Sequence, residues 1–245
     1  AAAGCAAVGF TMEEARRVAD LGQEQAVART PQQVLAELQR GNARFWMGGA
    51  TRPEKSAFER RALISKQFPL TAILGCSDSR VPTEIVFDQG LGDMFVVRVA
   101  GNCLEDATAA SLQFAVKHLK VKVLVVMGHE GCGAVKAAGL PAEVLQNEPP
   151  ALCKCLNKIK MGLDFKRLEC IHDPRAHDRE AVVTNVKRQV EALTEDESIM
   201  GAVRSGELLI IGAFYEISSG IVDFFFEVSE QASHTTPQAA DEALP

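Results

Sequence analysis

The sequence has 245 residues, of which 47% are hydrophobic and 24% charged, and its formal net charge is −6. This composition is that of an ordinary globular protein with enough apolar residues for a core. The acidic balance and the scattered basic residues provide no broad cationic face, so we expect no nucleic-acid partner. No apolar run approaches the ~18 residues of a membrane helix, so we expect no membrane span.

The first ten residues contain neither an initiating Met nor the basic start of a secretory signal peptide. We therefore expect a trimmed chain in the cytoplasm or in an organelle stroma, a plastid included. The seven Cys residues are too sparse for a disulfide-stapled scaffold, and an odd number of Cys cannot all be paired within one chain. Reduced thiols or metal ligands are the better interpretation of these residues.

Two helices are predicted at the start of the chain. Residues 11–29 have a helical rhythm, and Thr11 opens a stretch that resembles a capping box. A second helix is predicted from Pro31, with Thr30 as its N-cap and an apolar side that includes Leu38. We assign residues 1–46 to an N-terminal helical arm.

Short apolar runs rich in β-branched residues then alternate with helical stretches. The runs lie at residues 70–74, 94–99, 121–127, 207–213 and 221–226. The helical stretches lie at residues 107–119, 133–138 and 178–193, and a partly helical insertion is predicted at 141–174. Such alternation predicts an α/β fold with a mainly parallel sheet of four to five strands and helices on both faces.

The last two runs are separated by Ser218, Ser219 and Gly220, which have turn chemistry and predict an antiparallel edge strand. We assign residues 47–228 to a single α/β domain. Residues 229–245 are polar and Ala-rich, which predicts a mobile tail.

Candidate catalytic and metal-binding residues lie at the ends of two predicted strands, at positions 75–80 and 128–133. Ligands of open parallel sheets bind outside the carboxyl ends of the strands. Cys76, His129 and Cys132 form a Cys2His set there, which suits zinc and leaves one tetrahedral position for water or substrate. The alternative is two buried thiols and a hydrogen-bonded core His.

These motifs resemble those of the β-class carbonic anhydrases. The family's Cys-x-Asp-x-Arg matches Cys76, Asp78 and Arg80, and its His-x-x-Cys matches His129 and Cys132. Further similar stretches lie at residues 41–45, 95–98, 100–102, 206–208 and 212–213. The resemblance covers roughly residues 30 to 228 and is far more specific than one short motif.

The resemblance implies a zinc lyase, with one Zn²⁺ per chain, that interconverts carbon dioxide and bicarbonate. Zinc-bound hydroxide is expected to attack CO2, and Asp78 is expected to orient that hydroxide. Arg80 is expected to hold the carboxylate off the metal, whereas Asp78 on zinc would close the site. An ordinary surface ion pair is the alternative interpretation of these two residues.

The resemblance also implies substrate-binding roles for Gln67, Phe95, Val81 and Gly133. Gln67 lies nine residues before Cys76, where open-site members carry a Gln that hydrogen-bonds the substrate. Phe95 and Val81 match positions that line the family's apolar CO2 pocket. A solvated Gln67 and a Phe95 in plain core packing are the alternatives.

The resemblance further implies a homodimer or a higher multiple of dimers, with residues 11–45 wrapped over the neighbouring chain. Ile73 stands where bicarbonate-regulated members carry a Trp, although Arg98 and Tyr215 match, so we expect no regulation of that kind. Phe114 stands where plant-type members carry a Tyr, so no proton relay is assigned there.

The charge of the ligand set predicts the pH dependence of the activity. Two thiolates neutralise Zn²⁺, so bound water is acidified less than at an all-His site, where its pKa is near 7. We therefore expect activity that rises toward alkaline pH.

Two other functions stay open at this point. A hydrolase of carbonyl sulfide or carbon disulfide resembles carbonic anhydrase in fold and ligands, and the insertion at 141–174 is where a narrow entry could form. A non-catalytic zinc-stabilised subunit or inorganic-carbon sensor is disfavoured, because every residue needed for catalysis is present.

The remaining Cys residues are weaker candidates for function. A second metal site is conceivable at Cys153, Cys155, Cys170 and His172, with small packing thiols as the favoured alternative. Cys5 and Cys103 are expected to be isolated thiols.

Overall fold

The computed structural model describes residues 11–230. Within this range one sheet is formed by the strands β1 (Thr71–Gly75), β2 (Met94–Arg98), β3 (Val123–His129), β4 (Leu209–Tyr215) and β5 (Val222–Val228). The strand order is β2-β1-β3-β4-β5, and β5 is antiparallel to β4 while the other neighbours are parallel. The predicted α/β fold with an antiparallel edge strand is confirmed.

Helices precede the sheet and connect its strands. Before β1 lie α1 (Met12–Val27), α2 (Pro31–Trp46) and α3 (Ala57–Ser65). α4 (Thr83–Val86) follows β1, and α5 (Asp106–Phe114) with a π-helical turn (Ala115–Leu119) follows β2. Between β3 and β4 lie α6 (Gly133–Ala138), α7 (Ala142–Leu145), α8 (Pro150–Met161), α9 (Phe165–Glu169), α10 (Pro174–Thr194) and α11 (Glu197–Arg204). The insertion at 141–174 is therefore partly helical, as predicted.

Side chains of the central strands alternate between two apolar cores. In β3, Leu124 and Val126 pack with α5, α10 and α11 on one face, whereas Val123, Val125 and Met127 pack with α2 and α4 on the other. Every residue of β1, β3 and β4 is buried. Coverage on both faces explains why these strands read as near-continuous apolar runs in the sequence.

Helix α2 belongs to the core of its own chain. Its Leu38 is buried, and its buried Asn42 donates hydrogen bonds from Nδ2 to the carbonyl oxygens of Val86 (3.2 Å) and Gly220 (2.9 Å). The Oδ1 atom of Asn42 accepts from the backbone N–H of Val222 at 2.9 Å. The division of the chain at residue 46 stays a prediction, but this helix does not pack as a separate arm.

The close approach of α2 to α4 predicts a strong effect of one methyl group. A Cβ atom added to Gly41 would lie 2.0 Å from the carbonyl oxygen of Phe87, whereas one added to Gly201 in α11 meets nothing within 4 Å. We expect Gly41→Ala to destabilise the protein by about 3 kcal/mol through overpacking. Gly201→Ala should stabilise it by up to about 1 kcal/mol through helix propensity. Urea unfolding measures both, and equal free energies for the two variants would contradict the packing described.

A buried carboxylate ties α2 to the segment that follows it. The side chain of Asp88 is 0% exposed and accepts a 2.6 Å hydrogen bond from Arg44 Nε. It also accepts from the backbone N–H and the hydroxyl of Thr51 (3.1 and 2.9 Å) and from the backbone N–H of Arg52 (2.8 Å). Four donors therefore converge on one buried anion.

This anion predicts a loss of stability in acid. Burial opposes ionisation of Asp88, but the hydrogen bonds from Arg44, Thr51 and Arg52 outweigh it and lower its pKa to about 2. A depressed pKa contributes stability that is present above the unfolded-state pKa of about 3.9 and is lost as the pH falls through the folded value. Asp88→Asn should therefore lower the free energy of unfolding by about 2 kcal/mol at neutral pH, and by less near pH 2. Urea titrations at both pH values measure this, and a pH-independent difference would contradict it.

Residues 1–10 and 231–245 lie outside the described residues, and with them Cys5 and most of the predicted tail. Among residues 11–230, no helix is long and apolar enough to cross a membrane.

Candidate metal centre

The predicted ligand set is assembled at the carboxyl edge of the sheet. Cys76 directly follows β1, His129 ends β3 and Cys132 directly precedes α6. All three are buried, and their ligand atoms lie within 4.8 Å of one another. Within residues 11–230, no other group of three or more His, Cys, Asp or Glu side chains is placed to hold a metal ion.

The ring of His129 is oriented with one nitrogen toward the two thiols. Its Nδ1 atom lies 2.9 Å from the carbonyl oxygen of Glu130, and because a carbonyl only accepts, Nδ1 carries the proton. Nε2 therefore presents its lone pair, and it is buried without a hydrogen-bond partner. Such an orphaned buried acceptor is costly in a protein, and a metal ion accounts for it.

The two thiols lie within 4.8 Å of each other and shift each other's pKa in opposite directions. The neighbouring Cys132 thiol lowers the pKa of Cys76 to about 4, and the nearby His129 ring and the backbone N–H groups of Asp78 and Gly101 act in the same direction. The same proximity, together with burial, raises the pKa of Cys132. One thiolate is thus present beforehand, and the second proton leaves when a cation binds. Two sulfur donors and one imidazole fit zinc.

Asp78 lies beside the ligand set and is held by Arg80. Its Oδ1 accepts from the backbone N–H and Nε of Arg80 (2.9 and 3.0 Å), and its Oδ2 accepts from Nη2 (2.7 Å). These hydrogen bonds hold the pKa of the Asp78 carboxyl well below its usual range. Oδ2 is 4.0 Å from His129 Nε2. The Asp78 carboxylate is therefore ionised and held in place by Arg80. Its Oδ2 atom faces the side of the ligand set formed by His129 Nε2.

Three supports of this site were missed by the sequence analysis. Arg98, at the end of β2, donates from Nε to the carbonyl oxygen of Cys76 (2.8 Å) and from Nη2 to that of Asp78. The carbonyl of Glu130 fixes the tautomer of His129, and the backbone N–H of Gly101 helps to lower the pKa of Cys76. The two backbone contacts have no signal in the sequence, because any residue could supply them.

Two of the four predicted substrate residues, Gln67 and Phe95, lie away from the ligands within one chain, whereas Val81 donates its N–H to the carbonyl oxygen of Asp78 (3.0 Å) and Gly133 follows Cys132. Gln67 is exposed before β1, whose five residues span roughly 16 Å and separate it from the ligand edge. Phe95 pairs with Ala72 in the sheet and contacts the ring of Phe114 (6.3 Å). Val81 is fully buried in the core cluster that includes α2. Gly133, next to Cys132, opens onto free space.

The structure does not assemble the second Cys and His set. Cys153 Sγ accepts from Asn157 Nδ2 (3.3 Å), and Cys170 Sγ donates to the carbonyl oxygen of Lys166. Cys155 instead packs against the core cluster that contains Cys103, and the Cys103 thiol lowers the pKa of Cys155 to about 7. The expectation that Cys103 is an isolated thiol is therefore wrong, because folding of α8 against the turn after β2 brings a second thiol to it.

Comparison with known proteins agrees with this geometry. The model of the carbonic anhydrase family matches residues 71–222, which is more than half of the chain. The chain belongs to the β-class carbonic anhydrase family. It is 34% identical to carbonic anhydrase 2 of Mycobacterium tuberculosis over 194 residues, covering 75% of this chain and 87% of the relative. It is also 34% identical to a carbonic anhydrase of Mycolicibacterium smegmatis over 197 residues, covering 76% and 89% of the two chains.

The fold agrees with solved structures of the same family. Tetrameric β-carbonic anhydrases from Sordaria macrospora superpose with a TM-score of 0.61 at 28% identity, covering 66% of this chain and 83% of theirs. As a β-carbonic anhydrase, the chain is a zinc enzyme that reversibly hydrates carbon dioxide to bicarbonate. The donor set Cys76, His129 and Cys132 is the place in the chain that fits the metal.

Proposed function

We propose that hydration of CO2 takes place beside Cys76, His129 and Cys132, with Asp78 orienting the attacking water and Arg80 positioning Asp78. The observation that carries this proposal is the clamped carboxylate. Asp78 is ionised, points one oxygen toward the ligand set, and is held there by three hydrogen bonds from a single Arg.

Zinc, when bound, lowers the pKa of a water molecule and so supplies the nucleophile for hydration. Residues of the chain orient the water and leave room for the substrate. An ionised carboxylate only accepts hydrogen bonds, so Asp78 can accept one from the attacking water. This orientation leaves a lone pair of the water oxygen facing CO2. Arg80 donates to both carboxylate oxygens, which keeps Asp78 from rotating further toward the ligand set. Gly133 borders open space next to Cys132, and we assign this space to the substrate.

We propose further that the enzyme acts as a homodimer or a multiple of dimers. Gln67 and Phe95 lie away from the ligands of their own chain, so they reach a site only if a second copy presents them. Tetramers in the Sordaria relatives are consistent with such an assembly. Light scattering on Phe95→Ala together with wild type would test it, since loss of assembly and of activity should appear together.

Stopped-flow CO2 hydration on protein of measured zinc content tests the proposed function. Activity should track zinc occupancy and rise toward alkaline pH, because two thiolates reduce the charge available to acidify water. Fully zinc-loaded protein without hydration activity would contradict it.

Hydrolysis of carbonyl sulfide is the second candidate, and one observation favours testing it. A mostly apolar cavity of about 290 Å³ lies beside Cys132, between α6 and the insertion helices, and is lined by Leu140, Leu163, Phe165 and Leu168 among others. An apolar cavity suits an uncharged linear substrate, and it accommodates carbonyl sulfide as well as carbon dioxide. Release of hydrogen sulfide from carbonyl sulfide, compared with CO2 hydration on the same sample, separates the two activities.

A further inference from the structure

The backbone carbonyl that orients His129 belongs to a residue whose side chain is itself held. The Nδ1 atom of His129 lies 2.9 Å from the carbonyl oxygen of Glu130, so the position of this carbonyl sets the direction of the imidazole ring. The backbone N–H of Glu130 donates to the carbonyl oxygen of Tyr215 at the end of β4 (2.9 Å). The Glu130 carboxylate accepts at Oε2 from the backbone N–H of Ser218 (3.0 Å). Glu130 is therefore tied to the end of β4 and to the turn after it.

One cation, Arg175, joins this arrangement from helix α10. Its Nη2 atom lies 3.2 Å from Glu130 Oε1, 2.8 Å from Glu216 Oε1 and 3.1 Å from the hydroxyl oxygen of Ser218. Helix α10 begins at Pro174, so Arg175 lies in the first helical turn, where the helix dipole disfavours a positive charge. Local helix chemistry therefore does not explain an Arg at this position, whereas its contacts with two carboxylates do.

This ion cluster is too exposed to contribute much to the stability of the whole fold. The side chain of Arg175 is 67% exposed, and those of Glu130 and Glu216 are 27% and 34% exposed. Exposed ion pairs of this kind contribute little to stability. The place of the cluster gives it a more specific effect, because the Glu130 carboxylate and the carbonyl that faces His129 belong to the same residue.

On the basis of the proposed function, in which His129 binds zinc, we propose that Arg175 is a positioning residue that acts on this ligand through Glu130. Without the cation, the carboxylates of Glu130 and Glu216 repel each other. Glu130 and its carbonyl oxygen then gain freedom to move relative to His129 Nδ1. The imidazole ring follows its acceptor, so Nε2 is less well directed toward the two thiols.

Zinc transfer from the loaded protein to a chromogenic chelator is the first test. Arg175→Gln should release zinc about tenfold faster than wild type, because the partners that orient a ligating His contribute at least this much to metal affinity. Arg175→Lys should restore most of the wild-type rate, since an ammonium keeps the charge and three N–H donors. Release from Arg175→Gln at the wild-type rate would overturn the proposal.

A double-variant cycle tests the route through Glu130. Glu130→Gln keeps the backbone carbonyl but loses the charge that Arg175 contacts, so it should release zinc as fast as Arg175→Gln. The variant with both substitutions should release zinc no faster than either single variant, because residues that act through one contact are not additive. Additive effects would show that Arg175 acts by another route and would overturn the proposal.

Arg179→Gln is the matched control, since Arg179 lies one turn further along α10 and pairs with Asp223 of β5 at 2.5 Å. It also lies over the ring of Phe214 at 4.3 Å, so its loss loosens the same helix from the same sheet. This variant should release zinc at the wild-type rate. If it releases zinc as fast as Arg175→Gln, the effect is a general loosening of α10 and the positioning role is wrong.

The visible spectrum of the cobalt-substituted protein reports the geometry of the ligands directly. We expect the cobalt bands of Arg175→Gln to shift relative to wild type, with those of Arg179→Gln unchanged. Identical spectra for all three proteins would overturn the proposal. Wild-type protein that retains no zinc would instead contradict the proposed function, and the role of Arg175 would fall with it. Wild type that retains zinc and loses it in Cys132→Ser, but not faster in Arg175→Gln, would leave the ligand set standing and reject the positioning role alone.

Discussion

Cys132→Ser is expected to abolish zinc retention and to reduce CO2 hydration to the uncatalysed rate. The structure offers three donors within 4.8 Å of one another, and no further His, Cys, Asp or Glu of residues 11–230 completes this set. A hydroxyl is a poor substitute for a thiolate toward zinc. Without the metal, the pKa of the attacking water returns to about 15.7. Zinc content by atomic emission and stopped-flow rates on the same sample measure both effects.

The matched control is Cys153→Ser, which removes a half-buried thiol of α8 that takes no part in the metal centre. It should keep wild-type zinc content and turnover. Far-ultraviolet circular dichroism distinguishes loss of metal from loss of fold in the Cys132 variant. A folded Cys132→Ser protein with full zinc occupancy and wild-type turnover would remove Cys132 from the ligand set.

The central strands could be predicted because burial on both faces makes them apolar throughout. Their boundaries, however, lie one or two residues further along the chain than predicted. The run at 121–127 became Val123–His129, and the run at 70–74 became Thr71–Gly75. A strand ends where its neighbours stop offering hydrogen bonds, so Gly75 and His129 extend the ladder although neither residue is a typical strand residue. The metal ligands sit at these polar ends.

Three helices were not predicted, namely α3, α4 and α11. Each is short, so its apolar periodicity is weak and its packing partner is distant in sequence. A local signal was nevertheless present in α3, where Ser56 and Glu59 form a capping box. Asp196 similarly caps α11 through the N–H groups of Ser198 and Ile199. Capping chemistry is thus informative where periodicity is not.

Some residues of the candidate site could be predicted from the local sequence, whereas the placement of others depends on contacts between distant parts of the chain. The metal ligands Cys76, His129 and Cys132 could be predicted, because Cys and His are recognisable as metal donors from residue type alone. The packing of Cys155 against the core cluster of Cys103 could not, because it depends on how the insertion folds back onto the turn after β2. The positions of Gln67 and Phe95 relative to the ligands likewise depend on strand direction and assembly.

Asp78→Asn is expected to lower kcat/KM by about 10² to 10⁴, the usual range for loss of a positioned proton-accepting group, with zinc content unchanged. Asn keeps the size of the side chain but loses the charge that Arg80 clamps and one of the two acceptor oxygens. Zinc quantification with stopped-flow hydration measures the effect. Wild-type turnover in the variant would remove Asp78 from the mechanism.

Arg80→Gln separates a positioning role from an ordinary surface ion pair. Loss of the clamp frees the Asp78 carboxylate to rotate, and a displacement of about 1 Å at a reacting group costs on the order of 10²-fold in rate. We expect this loss in kcat more than in KM. Arg188→Gln is the matched control, because Arg188 pairs with Glu191 on the surface of α10 at 3.5 Å, and an exposed pair contributes at most about 1 kcal/mol. If both variants keep wild-type kcat, Arg80 is only such a surface pair, and the orientation of Asp78 depends on other groups.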